Sequence, residues 1–209
     1  MRTQLLAMLF SYTLANVAGA CPLQLEEARN LVSYPLSQNW KIQNPNVQTP
    51  WHIRQGVLQV RKNSVRSDLV SHRPYGDFIL YFEFALSRGA NSGIKYLVQN
   101  QIDSLGLEFQ ILDDKHHPDG KRGLQRQTGA LYDLLAPDMQ QKQLAPIGRF
   151  NHGCIVFKDQ RITHWLNGKV IMKADLNSDD FAKAKRQSKF SKITHFGSQK
   201  SGYILIQNH

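Results

Sequence analysis

A chain of 209 residues with 41% hydrophobic and 20% charged side chains has the size and composition of one globular domain. That balance excludes disorder over long stretches. The formal net charge of +10 is compatible with a polyanionic partner, but the basic residues between positions 183 and 200 come without a nucleic-acid recognition motif. We therefore interpret them as a solvated basic surface and predict no nucleic-acid partner; a polyanion-binding surface is the alternative.

The first 20 residues have the features of an export signal. Arg2 is the only charge before Glu26, an apolar stretch follows it, and Ala18-Gly19-Ala20 fits the small-x-small pattern of a signal-peptidase site. The alternative is a buried N-terminal helix. We predict a signal peptide over residues 1–20, followed by a single exported domain over residues 21–209, which would be periplasmic or secreted.

Two cysteines bear on this location. Cleavage after Ala20 would leave Cys21 as the first residue, which is typical of a bacterial lipoprotein associated with the outer membrane through a lipid tether. Cys154 lies in the apolar run GCIVF, so we expect a buried free thiol there. A disulfide between the two cysteines stays open, because pairing cannot be derived from sequence.

Most of the remaining chain has the alternation of short strands. The clearest strand is DFILYFEFALS, residues 77–87, whose phenylalanines fall on one face. Residues 151–174 predict three strands, with Asn167-Gly168 closing the second hairpin. Residues 178–190 predict one short helix with Ser178 as its N-cap. Short strands with few helices favour an all-β sandwich or barrel.

Polar side chains alternate with apolar ones in GLEFQILDD, residues 106–114. We expect Leu107, Phe109 and Ile111 to face the core, which places Glu108, Gln110 and Asp114 on the opposite face. Glu108 and Gln110 would lie about 7 Å apart, a spacing suited to binding the hydroxyl groups of a sugar. An exposed outer strand with ordinary polar residues explains the pattern equally well.

Three further positions are candidates for contact with a ligand. Lys95 and Tyr96 should face opposite sides of their strand, so that only one of them can reach the ligand face. Trp165, next to His164, could stack on a sugar ring or pack in the core. The segment DDKHHPDG, residues 113–120, could bind a divalent metal such as calcium through its oxygens, although it lacks EF-hand spacing.

Six motifs in order extend these observations: GANSGIKY, GLEFQILDD, GALYDLLAP, GRFNH, HWLNGK and GYILIQNH. Together they resemble the 3-keto-disaccharide hydrolase domain family over about residues 50–209. The resemblance implies an all-β, concanavalin A-like jelly-roll β-sandwich in an exported or lipid-anchored bacterial protein. It also implies hydrolysis of glycosidic bonds in sugars oxidised to a ketone at C3.

The implied chemistry is removal of the C2 proton, elimination of the C1 substituent and addition of water. On this resemblance Glu108 is the candidate acid/base with Gln110 beside it, and His209 is the second proton carrier. Asn91 and Tyr132 match motif positions and would shape the pocket. A cation, either a metal or a lysine, would stabilise the enolate oxygen.

The chain departs from the family pattern at three places. Asn208 stands where relatives often have Asp, and Phe150 stands where they have Trp. Relatives also continue past the residue matching His209 with a glycine and a final strand, so we expect the domain to be C-terminally truncated. The predicted function is hydrolysis of 3-keto-glycosides, and the alternative is a non-catalytic, lectin-like carbohydrate-binding module.

Overall fold

The computed structural model describes residues 21–22, 28–61 and 63–209. The predicted signal peptide over residues 1–20 lies outside the described residues. No helix in the described ranges has the length and apolar character needed to cross a membrane.

The described chain forms eleven strands, one α-helix and three short 3-10 helices. Helix α1 spans Asp179–Gln187, and the 3-10 helices span Leu36–Gln38, Pro118–Arg122 and Leu124–Arg126. The strands are β1 Trp40–Ile42, β2 Trp51–Arg54, β3 Val57–Val60, β4 Leu69–Ser71, β5 Phe78–Ala85, β6 Asn91–Val98, β7 Leu107–Leu112, β8 Phe150–Lys158, β9 Arg161–Leu166, β10 Lys169–Asp175 and β11 Tyr203–Ile206.

Two antiparallel sheets pack face to face. One has five strands in the order β1-β4-β11-β6-β7, the other has four in the order β10-β9-β8-β5, and β2 pairs with β3 in a separate hairpin. Strands distant in sequence, such as β4 and β11, are neighbours in the first sheet, which is the connectivity of a jelly roll. The predicted all-β, concanavalin A-like jelly-roll β-sandwich is confirmed.

The core lies between the two sheets and follows the predicted alternation. Phe82 and Phe84 of β5 face it from the four-stranded sheet, and Phe109 and Ile111 of β7 face it from the five-stranded sheet. The rings of Phe82 and Phe109 meet edge to face, with centroids 5.1 Å apart. Because these side chains point inward, their sequence neighbours Glu108 and Gln110 point away from the core.

A polar pair crosses the core between the sheets. The Tyr96 hydroxyl of β6 is 2.9 Å from His164 Nε2 of β9, and His164 Nδ1 is 3.0 Å from the Gly129 carbonyl oxygen. Burial lowers the pKa of His164 to about 3, so the ring is neutral and both of its nitrogens have a partner. Tyr96 and His164 therefore belong to the core, and Lys95 and Trp165 face away from it.

Local signals in the sequence give the predicted turns and cap. Asn167 and Gly168 adopt φ values of 47° and 80° between β9 and β10, as a tight hairpin requires. The Ser178 side chain accepts a hydrogen bond of 3.2 Å from the Phe181 amide at the start of α1. Both predictions are confirmed.

Cys154 of β8 forms a disulfide with Cys21, with Cα atoms 5.9 Å apart. The prediction of a free thiol at Cys154 was wrong, although the residue is buried as expected. The apolar run around Cys154 gave its burial correctly, but the partner is 133 residues away in sequence and left no local signal. A sulfur in a disulfide cannot also carry a thioether-linked lipid, so lipidation of Cys21 and this pairing are alternatives.

Candidate active site

The strand pair β6–β7 carries the polar face of the five-stranded sheet. Lys95 lies opposite Glu108, and Gly93 lies opposite Gln110, in the antiparallel register. These residues point away from the core, yet Glu108 is only 6% exposed and Gln110 only 2%. Other segments therefore cover this face, and they determine what reaches Glu108.

The first covering segment follows β7 and pairs back along its free edge. The Gly129 amide donates to the Gln110 carbonyl over 2.9 Å, and the Tyr132 amide donates to the Glu108 carbonyl over 3.0 Å. This pairing fixes Tyr132 beside Glu108. The motif TGALYD thus continues the sheet by a few residues, and its tyrosine lies at the polar face.

A network of ionic and hydrogen bonds holds Tyr132 in place. Its hydroxyl donates to Asp119 Oδ2 over 2.7 Å, and Arg126 Nη1 is 2.8 Å from Asp119 Oδ1. Arg126 also contacts Asp133, with Nη2 2.5 Å from Oδ1. Since most of these groups are partly buried, the network is more rigid than a surface ion pair.

The second covering segment follows α1. Asp133 Oδ2 accepts a hydrogen bond of 2.8 Å from the Lys189 amide. The Lys189 ammonium then lies 4.2 Å from the centroid of the Tyr132 ring and 5.0 Å from that of Phe190. Phe190 stacks on Phe196 with centroids 3.9 Å apart, which gives this segment an apolar wall.

These elements enclose a cleft of about 340 Å³ in front of Glu108. Its lining combines a carboxylate, two ammonium groups and an apolar wall, from Lys95, Ser104, Leu105, Gly106, Glu108, Lys189, Phe190 and Ile193. Lys95 Nζ is 4.0 Å from Glu108 Oε2 and also donates to the Ser104 carbonyl over 2.7 Å. A sugar ring has this mixed character, with polar edges and an apolar face.

Gly93 forms the floor between the site's side chains. A Cβ atom built at this position would lie 2.4 Å from Glu108 Oε1 and 2.6 Å from Gln207 Oε1. No real Cβ atom tolerates such contacts, so a larger residue would displace both side chains. The side chains of Glu108 and Gln207 therefore occupy the space above the Gly93 backbone.

A second cleft of about 440 Å³ contains His209. Its lining is Gln43, Asn44, Pro45, Arg66, Ser67, Asp68, Ile102, Asn208 and His209. His209 Nε2 is 2.8 Å from Gln207 Nε2, which links this cleft to the residues around Gly93. Burial and the positive charges of Lys95 and Arg66 together lower the pKa of His209 to about 4, so the imidazole is neutral at pH 7.

Glu108 is poised to exchange a proton near neutral pH. Burial raises its pKa to about 7, against the opposing attraction of the Lys95 and Lys189 ammonium groups. The negative charges of Asp68 and Asp119 contribute to this upward shift. A carboxyl group with such a pKa can act as a general base at physiological pH.

The structure brings together five of the eight predicted site residues and separates three. Glu108, Gln110, Lys95, Tyr132 and His209 lie on one face of the five-stranded sheet. Asn91 shares that face but lies four residues before Lys95, about 13 Å along the strand. Asp114 is bound by the Thr128 amide and the Lys142 ammonium, each at 2.7 Å, and Trp165 lies on the outer side of the four-stranded sheet.

The acidic segment after β7 uses its carboxylates for internal contacts. Asp113 accepts a hydrogen bond of 2.7 Å from the Gly89 amide and contacts His116, while Asp119 contacts Arg126 and Tyr132. Within the part of the chain that the structure describes, no group of three or more His, Cys, Asp or Glu side chains is placed to hold a metal ion. A divalent metal stays a prediction.

Sequence reasoning missed several groups at the site. Lys189 belongs to the basic stretch interpreted as solvated surface, and its position depends on Asp133, which is 56 residues away. Gln207 is part of the terminal motif GYILIQNH, where only the histidine was singled out. Asp68 and Arg66 precede β4 and carry no local signal of a function.

Comparison with known proteins gives concordant matches. A family model described as a 3-keto-alpha-glucoside-1,2-lyase-like domain matches residues 35–209. A protein of Bacteroides thetaiotaomicron named 3-keto-disaccharide hydrolase is 26% identical over 195 residues, which cover 78% of this chain and 67% of that protein.

Two crystal structures of provisionally named glycosyl hydrolases from Parabacteroides distasonis ATCC 8503 share the fold. One has a TM-score of 0.71 at 24% identity and covers 82% of this chain and 83% of its own. The other has a TM-score of 0.66 at 26% identity and covers 87% of this chain and 90% of its own.

Proposed function

Because this chain belongs to the 3-keto-alpha-glucoside-1,2-lyase-like domain family, we propose that it hydrolyses the glycosidic bond of 3-keto-glycosides, including 3-keto-disaccharides. The family assignment confirms the resemblance inferred from the six motifs. The relative named 3-keto-disaccharide hydrolase supports a glycoside-cleaving activity. The substrate and the mechanism are our proposal.

The observation that carries this proposal is the placement of Glu108. A C3 ketone acidifies the hydrogen on C2, so an enzyme for this reaction needs a base of moderate strength in a site that excludes water. Glu108 is buried, faces a cleft and has a pKa of about 7. In our proposal its carboxylate removes the C2 proton.

The two lysines of the cleft would stabilise the charge that then develops. Loss of the C2 proton places negative charge on the C3 oxygen, and an ammonium group near that oxygen lowers the barrier. Lys95 and Lys189 both line the cleft with Glu108, and both attract its negative charge. We propose that these two lysines stabilise the enolate oxygen, the role predicted from the sequence for either a metal or a lysine.

The remaining polar groups would hold the sugar and complete the proton transfers. Gln110 and Tyr132 lie beside Glu108 and would bind hydroxyl groups of the oxidised ring. His209 stays the predicted second proton carrier. Its imidazole is neutral at pH 7, so it could accept a proton or a hydrogen bond there.

Purified protein incubated with 3-keto-trehalose and with trehalose tests the proposal. We expect release of glucose from the oxidised sugar alone, because only the ketone acidifies C2. Addition of EDTA tests the predicted divalent metal. Binding of 3-keto-trehalose without product release would contradict the hydrolase and favour the lectin-like module. Cleavage of unmodified trehalose would contradict the C2 mechanism.

A second expectation concerns the pH dependence of the rate. If Glu108 acts as a base, kcat/KM should rise with pH through about 7, as its carboxyl group loses the proton. Lys95→Met removes the ammonium group 4.0 Å from Glu108 and so removes attraction that favours the carboxylate. We expect the midpoint of the pH–rate profile to move upward by about one unit.

The matched control for this variant is Lys173→Met, an exposed lysine of β10 in the other sheet. It removes the same charge from the protein without touching the cleft. An unchanged midpoint in Lys95→Met, or an equal shift in both variants, would contradict the assignment of the titrating group to Glu108.

We also propose that the protein works outside the cytoplasm, in the periplasm, at the outer membrane or as a secreted protein. The disulfide between Cys21 and Cys154 supports an oxidising compartment. Mass spectrometry of the mature protein from its native host would show whether Cys21 carries a lipid or a disulfide.

A further inference from the structure

A second carboxylate faces the same side of the five-stranded sheet as Glu108, and no step described above uses it. Asp68 immediately precedes β4, where Leu69 pairs with Ile206 of β11. Leu69 and Ile206 both pack in the core. Since successive side chains of an extended segment alternate, Asp68 points away from the core, toward the face that carries Glu108.

The register of the strands places Asp68 in one row with the floor of the site. The pairing of Leu69 with Ile206 places Asp68 beside Gln207, and the backbone N–H of Gln207 donates to the Gly93 carbonyl oxygen over 3.0 Å. Gly93 in turn lies opposite Gln110 of β7. The row therefore contains Asp68, Gln207, Gly93 and Gln110, one from each of four neighbouring chain segments. The backbones of the two outer segments are about 14 Å apart.

Within this row Gly93 has no side chain, and Glu108 leans over it from the neighbouring position. Glu108 of β7 and Asp68 before β4 thus lie on opposite sides of Gly93, and the Gln207 side chain also lies over the Gly93 backbone. A sugar ring bound above Gln207 and Gly93 would have one carboxyl group on each side. Enzymes that transfer protons on both sides of a glycosidic bond commonly flank the sugar with two carboxyl groups.

The surroundings of Asp68 shift its pKa upward, which is the direction that a proton donor needs. Oδ1 of Asp68 accepts a hydrogen bond of 2.8 Å from the backbone N–H of Asn208, and Asp68 lines the second cleft with Arg66 and His209. Burial raises its pKa, against the opposing effects of that hydrogen bond and of the Lys95 and Arg66 charges. The negative charge of Asp68 in turn contributes to the raised pKa of Glu108, so the two carboxyl groups interact electrostatically.

We propose that Asp68 is the general acid of the reaction and protonates the oxygen that leaves C1. This inference rests on the proposed function and adds a residue that the family motifs did not suggest. It also gives the second cleft a role, because the leaving sugar would occupy the space around Asp68 and His209.

The proton balance is then complete. Glu108 takes the C2 proton, the C1–O bond breaks as the C1=C2 bond forms, and the departing oxygen takes the proton of Asp68. Water then adds to the double bond. The Asp68 carboxylate removes one proton from the water molecule as the water oxygen bonds to C1, and Glu108 returns the first proton to C2. Both carboxyl groups end in their starting states.

His209 is less suited to this step. A neutral imidazole has no readily lost proton at pH 7, and the positive charges of Lys95, Arg66 and Lys189 oppose its protonation. It can instead hold the leaving sugar or orient the water together with Gln207.

The test compares two leaving groups in Asp68→Asn. The asparagine retains the acceptor for the Asn208 amide, so we expect a folded protein, checked by its thermal midpoint. On 3-keto-trehalose, whose leaving alcohol needs a proton, kcat/KM should fall by a factor of about 10² or more. On 4-nitrophenyl 3-keto-glucoside, whose leaving group departs as a stable anion, the loss should be less than about fivefold.

Asp77→Asn, at an exposed acid before β5, is the matched control and should leave both rates unchanged. Equal losses on both substrates, or no loss on either, in a folded Asp68→Asn would overturn the acid role while leaving the proposed function intact. The same is true if His209→Ala, and not Asp68→Asn, shows the leaving-group dependence. A wild-type protein inactive on both substrates would overturn the proposed function itself.

Discussion

Glu108→Gln should lower kcat/KM for 3-keto-trehalose by a factor of about 10² to 10⁴ without disturbing the fold. Glutamine has the same shape as the protonated glutamic acid, so it fits the space above Gly93. It cannot remove the C2 proton, because an amide is not a base at neutral pH. KM should change much less than kcat, since the substitution leaves Lys95, Lys189 and Tyr132, which we propose bind the sugar, in place.

Glu83→Gln is the matched control for this variant. Glu83 lies on β5, on the outer side of the other sheet, where it accepts a hydrogen bond from Tyr81 and contacts His152. The substitution makes the same chemical change away from the cleft and should leave the rate unchanged. Full activity of Glu108→Gln would remove the central residue of the mechanism.

The same variant should gain stability at alkaline pH. The pKa of Glu108 is raised from 4.5 to about 7 in the folded protein, so the folded state holds the proton more tightly than the unfolded state. The free energy of unfolding of the wild type should therefore fall as pH rises through this range, by about 3 kcal/mol in total. Glu108→Gln lacks this loss and should be the more stable protein at pH 8, as measured by urea denaturation.

Reduction of the disulfide should destabilise the protein by up to about 5 kcal/mol. The bond joins residues 133 positions apart and closes most of the chain into a loop, so its loss greatly increases the entropy of the unfolded state. Thermal unfolding with and without dithiothreitol measures the effect. We expect a lower thermal midpoint in the presence of the reductant.

The double variant Cys21→Ala/Cys154→Ala separates loss of the bond from other effects of the reductant. It should unfold at the midpoint of the reduced wild type and should not respond to dithiothreitol. A wild-type midpoint that the reductant leaves unchanged, in protein shown by mass to contain the bond, would contradict this expectation.

The strands of this protein could be predicted from sequence because their signals are local. Alternation in residues 77–87 and 106–112 reports which side chains face the core, because in each strand one set of alternate side chains packs between the sheets. The other set is partly exposed in β5 and covered by other segments in β7. The Asn167-Gly168 turn depends on two adjacent residues. For the same reason, the outward direction of Glu108 and Gln110 could be derived before their surroundings were known.

The rest of the site depends on contacts between distant segments. Lys189 looked like one of several solvated lysines, and only its amide contact with Asp133 brings it to the cleft. Asp68 joins the site through β11, which lies between β4 and β6 although it is last in sequence. Periodicity gives the direction of a side chain but not the order of strands in a sheet, so it could not place these two residues.

The bare backbone at position 93 has a consequence for annotating homologous genes. A chain of this fold with valine or threonine there would displace the Glu108 and Gln207 side chains, even if every carboxylate of the proposed mechanism were present. Genome surveys that score only acidic and basic residues would count such chains as active. Glycine at this one alignment column should therefore separate turnover-competent members from those that have kept the scaffold alone.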